Sequence, residues 1–386
     1  MKKMFLFVVS VALLLSTVGC SDAEETPSEV IPDSVVEEGQ TSNESVPEPI
    51  TLNVTDLISV FDTLDLTEAN LTYHSETEIT YPASAAIRAK GYIEKLNSFV
   101  WEEYVPSAEW DRKDDYFCVL TTGDITITAF QSGYSGSRPL HLVTDEGEGW
   151  FVLPYIQNET NNAAKQVSWM IYDTFFSWYT ETQTASLYSG AGTPLTVEEM
   201  DYFQEYTNGT WTEYDAEWGG FVGGATEISC FFTSLYDDVR ELNFEEFMSY
   251  FPGDRDNATY TTDLEFDTLK RVEGWPFTWV ESYDKMPVPI HKYPRSRIDE
   301  VLKKYAGITT EELDTAGVAY LEEYDAFYNY TSDFGPGIFT PHYGEKNGDI
   351  VTLWAAPVGY DGSTSMLTLQ KSGENWHILS HNKISA

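Results

Sequence analysis

Four pairs of apolar runs in this chain are separated by only two to five residues, and that spacing permits nothing but antiparallel strands. Residues 116–121 and 125–130 flank Thr122-Gly123-Asp124, and residues 140–144 and 150–155 flank the segment 145–149. Residues 341–346 and 349–354 meet at Asn347-Gly348, and residues 365–370 and 376–383 meet across 371–375. A parallel connection takes a dozen residues or more, whereas two to five residues rich in Gly, Asn and Asp make a hairpin. Asn347-Gly348 carries the strongest type I′ signal of the four.

Helical spacing fills the intervals. Pro82 stands at a plausible first helical position, opening a helix to about residue 99 with Ile87, Ile93, Leu96 and Phe99 on one face. A second helix is expected over 162–187. Thr196 with Glu199, Asn243 with Glu246 and Thr309 with Glu312 are capping-box pairs that mark further starts. Ile228, Phe231, Phe232, Leu235, Val239 and Leu242 recur at three- and four-residue steps, the cleanest amphipathic helical pattern present. Ser296 is expected to cap another helix, with Ile298, Val301, Leu302 and Tyr305 inward and Gly307 as its stop. The expectation is an α+β fold of two domains, 51–190 and 195–386, each combining helices with an antiparallel β-meander. The Gly- and Pro-bearing segment 189–194 is the expected boundary.

The first fifty residues read differently. Lys2 and Lys3 precede an almost wholly apolar run over 4–15, and small residues lead to Gly19-Cys20. That run is too short to cross about 30 Å of hydrocarbon, so 1–19 is expected to be a signal peptide. The Gly19-Cys20 junction resembles the lipobox of bacterial lipoproteins, with Thr17 where that class usually has Leu. The resemblance implies a diacylglycerol on the Cys20 sulfur, a mature N-terminus at Cys20, and a place on the extracytoplasmic face of the cell membrane. Two acyl chains hold where one is marginal. The alternative is an ordinary secreted protein whose signal ends near a cysteine. Residues 20–50 are rich in Glu, Ser, Thr and Pro and are expected to form a disordered acidic stalk, for no Lys or Arg occurs between Lys3 and Arg88.

Charge excludes one class of partner. Sixty-three acidic residues face 22 basic ones, a net −41 that becomes −43 once the leader takes Lys2 and Lys3 away. Such a surface repels phosphate backbones, so nucleic acid is not an expected partner. Eleven Trp, 25 Tyr and 21 Phe supply ring faces of the kind that stack on sugars or fill protein interfaces. Trp218 and Phe221 lie among four glycines in 218–224 and are the candidate lip of a ligand site. Six basic residues crowd into 285–304 (Lys285, Lys292, Arg295, Arg297, Lys303, Lys304), to pair internally or with an acidic partner.

Chemical motifs are wanting. No G-x-S-x-G, H-E-x-x-H, Walker or dinucleotide fingerprint occurs, and Ser282-Tyr283-Asp284-Lys285 lacks the companion elements of an S-x-x-K enzyme. His377 and His381, on an expected strand, would share a face but stand roughly 13 Å apart. Asp254, Asp256 and Glu265 have EF-hand spacing, yet Ala258 and Thr259 occupy positions that need a ligand and a glycine. Cys118 and Cys230 sit in apolar settings and are expected to be buried free thiols, a disulfide being the other possibility outside the cell. Carboxylate pairs of glycosidase type are too numerous to single out. No catalytic residue, metal site or cofactor is therefore assigned.

Residues 298–313 with 320–328, and the runs 348–353 and 366–369, resemble a pattern in uncharacterised lipoproteins of clostridium-like Gram-positive bacteria. The likeness spans roughly 195–384 and implies no activity. The expected function is a lipid-anchored, non-catalytic surface module that binds a glycan or a protein. A carboxylate-dependent cell-wall or glycan hydrolase is the alternative, and a transporter's solute receptor is third.

Overall fold

A computed structural model describes residues 50–74, 78–106, 116–131, 138–154, 164–215, 217, 219–252, 263–272, 275–330, 335–357 and 363–385. The leader, Cys20 and the expected stalk up to residue 49 lie outside the described residues; Ile50, expected to end the stalk, is in a strand instead. Helices and antiparallel sheets together make the chain α+β, as the short turns require.

The first sheet runs from β1 (Ile50–Thr51) through β2 (Asn70–Tyr73), β3 (Ile79–Pro82), β4 (Glu102–Glu103), β5 (Tyr116–Thr122), β6 (Ile125–Phe130) and β7 (Leu140–Val143) to β8 (Gly147–Val152). Its order is β1-β8-β7-β6-β5-β2-β3, with β4 also on β8. Helices α1 (Val54–Thr63), α2 (Ala89–Asn97) and α3 (Ala164–Tyr188) accompany it. Leu57, Leu71, Leu96, Phe117, Phe151, Phe175 and Trp178 form the core between sheet and helices.

Two local expectations fail here, each for a physical reason. Pro82 does not open a helix; it ends β3, the edge strand, where a missing N–H costs no ladder bond. The chain then makes a 3₁₀ turn at Ala83–Ala85 before α2 begins at Ala89. The segment 145–149 is not all loop either, because β8 starts at Gly147. A Cβ on Gly147 would lie 2.0 Å from the Ile50 carbonyl oxygen, and one on Gly149 2.7 Å from that of Leu52. Both glycines are there for close backbone approach, which admits β1 as the sheet's parallel strand.

After β9 (Thr193–Pro194) comes α4 (Val197–Tyr206), opened by the reciprocal Thr196–Glu199 box. The hairpin β10 (Thr210–Asp215) and β11 (Gly220–Ala225) follows, then α5 (Phe244–Ser249) and α6 (Asp263–Leu269). Strand β12 (His291–Pro294) leads into α7 (Arg295–Ala306), which Gly307 stops in the left-handed conformation at φ +69°. Ser296 lies inside the first turn of α7 rather than at its cap. Strands β13 (Ala319–Leu321) and β14 (Ala326–Asn329) complete a three-stranded sheet in the order β12-β14-β13.

The chain closes with β15 (Pro341–Asn347), β16 (Ile350–Ala355), β17 (Thr364–Ser372) and β18 (Asn375–Ile384), in a sheet ordered β18-β17-β16-β15-β9. Its inner face shares a core with α4, α5 and α7 through Phe203, Phe247, Val301, Leu302, Leu353, Leu367 and Ile378. Its outer face meets the C-terminal part of α3 through Tyr188, Tyr343 and Trp354.

The amphipathic helix expected over 228–242 does not form. A 3₁₀ segment, Glu227–Phe232, buries Ile228, Phe231 and Phe232, and three-residue spacing suits that tighter helix as well. Tyr236 then bridges to His381 backbone to backbone, and a second 3₁₀ turn spans Val239–Glu241. Leu235, expected inward, is 52% exposed. Turn chemistry also differs at Asn347-Gly348. The two loop residues are Gly348 and Asp349, with positive φ (+61°) at the glycine alone, which is the pattern of a type II′ turn.

Candidate functional site

The sequence-derived candidates do not converge. Trp218 lies outside the described residues. Phe221 stands in β11 opposite Tyr214, on a two-stranded hairpin. Glu265, the last residue of the calcium-like spacing, is buried on α6, where its carboxylate pairs with Lys292 and accepts the Tyr328 hydroxyl. Asp254 and Asp256 are not described, and no cluster of three potential metal ligands occurs among the described residues.

His377 and His381 do not share a face. A bulge in β18 leaves His377 opposite Gln370 and His381 opposite Leu367, positions three apart on β17 that point to opposite sides. Cys118 and Cys230 are buried free thiols in separate cores. Burial pushes the Cys230 thiol up to about 12 and raises that of Cys118 further, so neither is a ready nucleophile.

The basic island is largely spent within the fold. Lys285 pairs with Glu281, Lys292 with Glu265 and Arg295 with Asp325, while Arg297 and Lys304 clasp the two oxygens of Glu227.

The arrangement best suited to a ligand is a groove of about 350 Å³ between α4 and the turn ends of the last sheet. The capping box fixes the start of α4, so Met200 and Phe203 face the core while Glu198 and Tyr202, four residues apart, face outward. From the sheet come Asp349 in the β15–β16 turn, Lys371 at the end of β17 and Trp376 just inside β18. The Lys371 N–H donates to the Asp349 carbonyl at 2.8 Å and ties the two hairpins together at this edge.

Aromatic packing holds the groove wall in place. Tyr202 is 47% exposed, and its ring stacks on Tyr206 with centroids 6.1 Å apart and planes 17° apart. Phe203 packs edge-on against both Tyr202 and Trp376, each at 5.1 Å. The Tyr206 hydroxyl donates to the Trp376 carbonyl at 2.6 Å. Charge is arranged in two ways. Glu199 accepts Lys346 at 2.5 Å and the Thr196 N–H at 2.9 Å, and these bonds hold its carboxyl below the usual range. Glu198, Asp349 and Lys371 form no ion pair among the described residues. The half-exposed Tyr202 ring, beside acceptors and an ammonium that form no ion pair among the described residues, suits a flat, hydroxylated ligand.

Sequence reasoning missed this groove because its turns read as connections and its Glu and Tyr as ordinary helix surface. The i, i+4 pair Glu198–Tyr202 beside an aromatic strand start was the available signal. No family model, curated protein or solved structure matches the chain.

Proposed function

We propose that this chain is a lipid-anchored, cell-surface binding protein whose groove on α4 holds sugar rings of a glycan. The observation that carries the reading is the half-exposed Tyr202 ring, in one groove with Trp376 and with Glu198, Asp349 and Lys371, which form no ion pair among the described residues. A pyranose offers an apolar C–H face to stack on such rings, and its hydroxyls suit carboxylate acceptors and an ammonium donor. The anchor rests on the Lys2-Lys3 leader and Cys20.

Binding is favoured over hydrolysis on electrostatic grounds. A glycosidase acid must keep its proton near neutrality. Glu199 is held the other way by Lys346. Glu181, whose burial raises it, is enclosed in hydrogen bonds on α3 and does not line the groove.

Titration of the full chain with a glycan panel, followed by tryptophan fluorescence, is expected to give saturable binding that Tyr202→Ala weakens about tenfold without loss of fold. Failure of every glycan to bind sinks the sugar reading, and release of new reducing ends would favour the hydrolase. Mass spectrometry of the membrane fraction is expected to find Cys20 diacylated at the mature N-terminus. An unmodified Cys20 there overturns the anchor.

A further inference from the structure

A second cavity, of about 480 Å³, opens where three distant segments meet: the turn before α2, the end of α3, and β9 with β15. Ala85, Ile87, Ala185, Pro194 and Tyr343 give it apolar walls, and Ser186 and Ser189 are its polar groups. We propose that this pocket binds a small, neutral, largely apolar molecule bearing one hydrogen-bonding group.

Neutrality follows from the lining. Among the described residues no charged side chain lines the pocket, although 22% of the chain is charged. The carboxylates bonded to its walls are already engaged. Glu345 accepts the Tyr343 hydroxyl and the Gly190 and Gly192 N–H groups, and Glu181 accepts the Ile87 and Arg88 N–H groups and the Tyr92 hydroxyl. Among the described residues a cationic ligand finds no free acid there, and an anionic one no cation.

The hydrogen-bonding group follows from α3. Thr174, Thr180 and Thr184 each return their hydroxyl to the carbonyl four residues back, at 2.6–2.7 Å. Thr182 and Ser186, also four apart and so on one face, do not; both hydroxyl oxygens are buried and unpartnered. Thr182 is fully buried, and Ser186 lines the pocket. A buried hydroxyl without a partner is costly, so a ligand whose polar group draws the covered Ser186 hydroxyl round into the pocket gains by it. The volume lies in the range of small-molecule sites, and junctions between packed elements are where such sites occur.

The test titrates the full chain with N-phenyl-1-naphthylamine, an uncharged fluorophore with a single N–H that brightens in apolar surroundings. Saturable one-to-one brightening is expected. Ala85→Leu, which fills the pocket, should weaken it at least about tenfold, and Ser186→Ala about fivefold. The N-methylated probe, having no N–H, should bind wild type and Ser186→Ala alike. If Ala85→Leu loses its near-ultraviolet dichroism, Ser189→Trp at the exposed rim provides the same block. Tyr202→Ala should leave probe binding unchanged, which separates this pocket from the sugar groove. Brightening that never saturates, that survives a folded blocked variant, or that falls with Tyr202→Ala overturns the proposal.

Discussion

Glu345→Ala is expected to destabilise the fold by about 3–5 kcal/mol, read as a fall in the urea midpoint at unchanged slope. Glu345 is a buried carboxylate on β15 with no cation bound to it among the described residues. Three donors take the cation's place: the Gly190 N–H at 2.7 Å, the Gly192 N–H at 3.0 Å and the Tyr343 hydroxyl at 2.7 Å. Truncation leaves the buried Tyr343 hydroxyl and the two part-buried glycine N–H groups without their acceptor and opens a cavity beside Gly192, whose own Cβ would stand 2.8 Å from the Glu345 carboxylate. Glu345→Gln separates the two costs. It keeps the volume and one acceptor oxygen but turns an amide N–H toward a backbone N–H, so about 1–3 kcal/mol is expected. Equal stability of all three proteins would show that segment 189–194 is held by its strands alone.

That segment shows where legibility stopped. Its glycines and proline announce a break in secondary structure, but the residue that pins it lies some 150 positions downstream on another strand. Local signals fared better. The hairpins at Gly123, Gly348 and Gly373, the helix ending at Gly307 and the Thr196–Glu199 cap depend on neighbours in sequence, and all are present. What failed depended on distant partners. The 228–242 pattern yields to a backbone bridge with His381, and Gly147 and Gly149 answer to β1 rather than to a turn. The N-terminus of α2 has no side-chain cap of its own and borrows the Glu181 carboxylate from α3. The groove was illegible for the same reason, since α4 and the turn ends of the last sheet are joined only by the fold.

Between pH 6.5 and about 4.5, stability is expected to fall by about 2 kcal/mol on account of His342. His342 is the extra residue of the β15 bulge, left out of the ladder between Pro341 and Tyr343. Burial, with a smaller contribution from the Arg88 guanidinium, lowers its imidazole to about 4. The unfolded chain therefore binds a proton in this window that the folded chain refuses, so acid favours unfolding. His381, also lowered by burial, acts in the same direction. Glu181 opposes both. Burial raises its folded carboxyl, so above pH 4.5 the folded state holds a proton that the unfolded state releases, and stability rises as pH falls through that window. Glu199 and Glu227 are lowered, and their stabilisation is lost only below the window, as pH falls through their depressed values. Denaturation curves across pH 4.5–7 should thus be shallower for His342→Gln than for wild type and steeper for Glu181→Gln, which stays neutral at every pH. A His342→Gln curve as steep as wild type would show that the imidazole charges freely in the folded protein, and that the bulge exposes it rather than buries it.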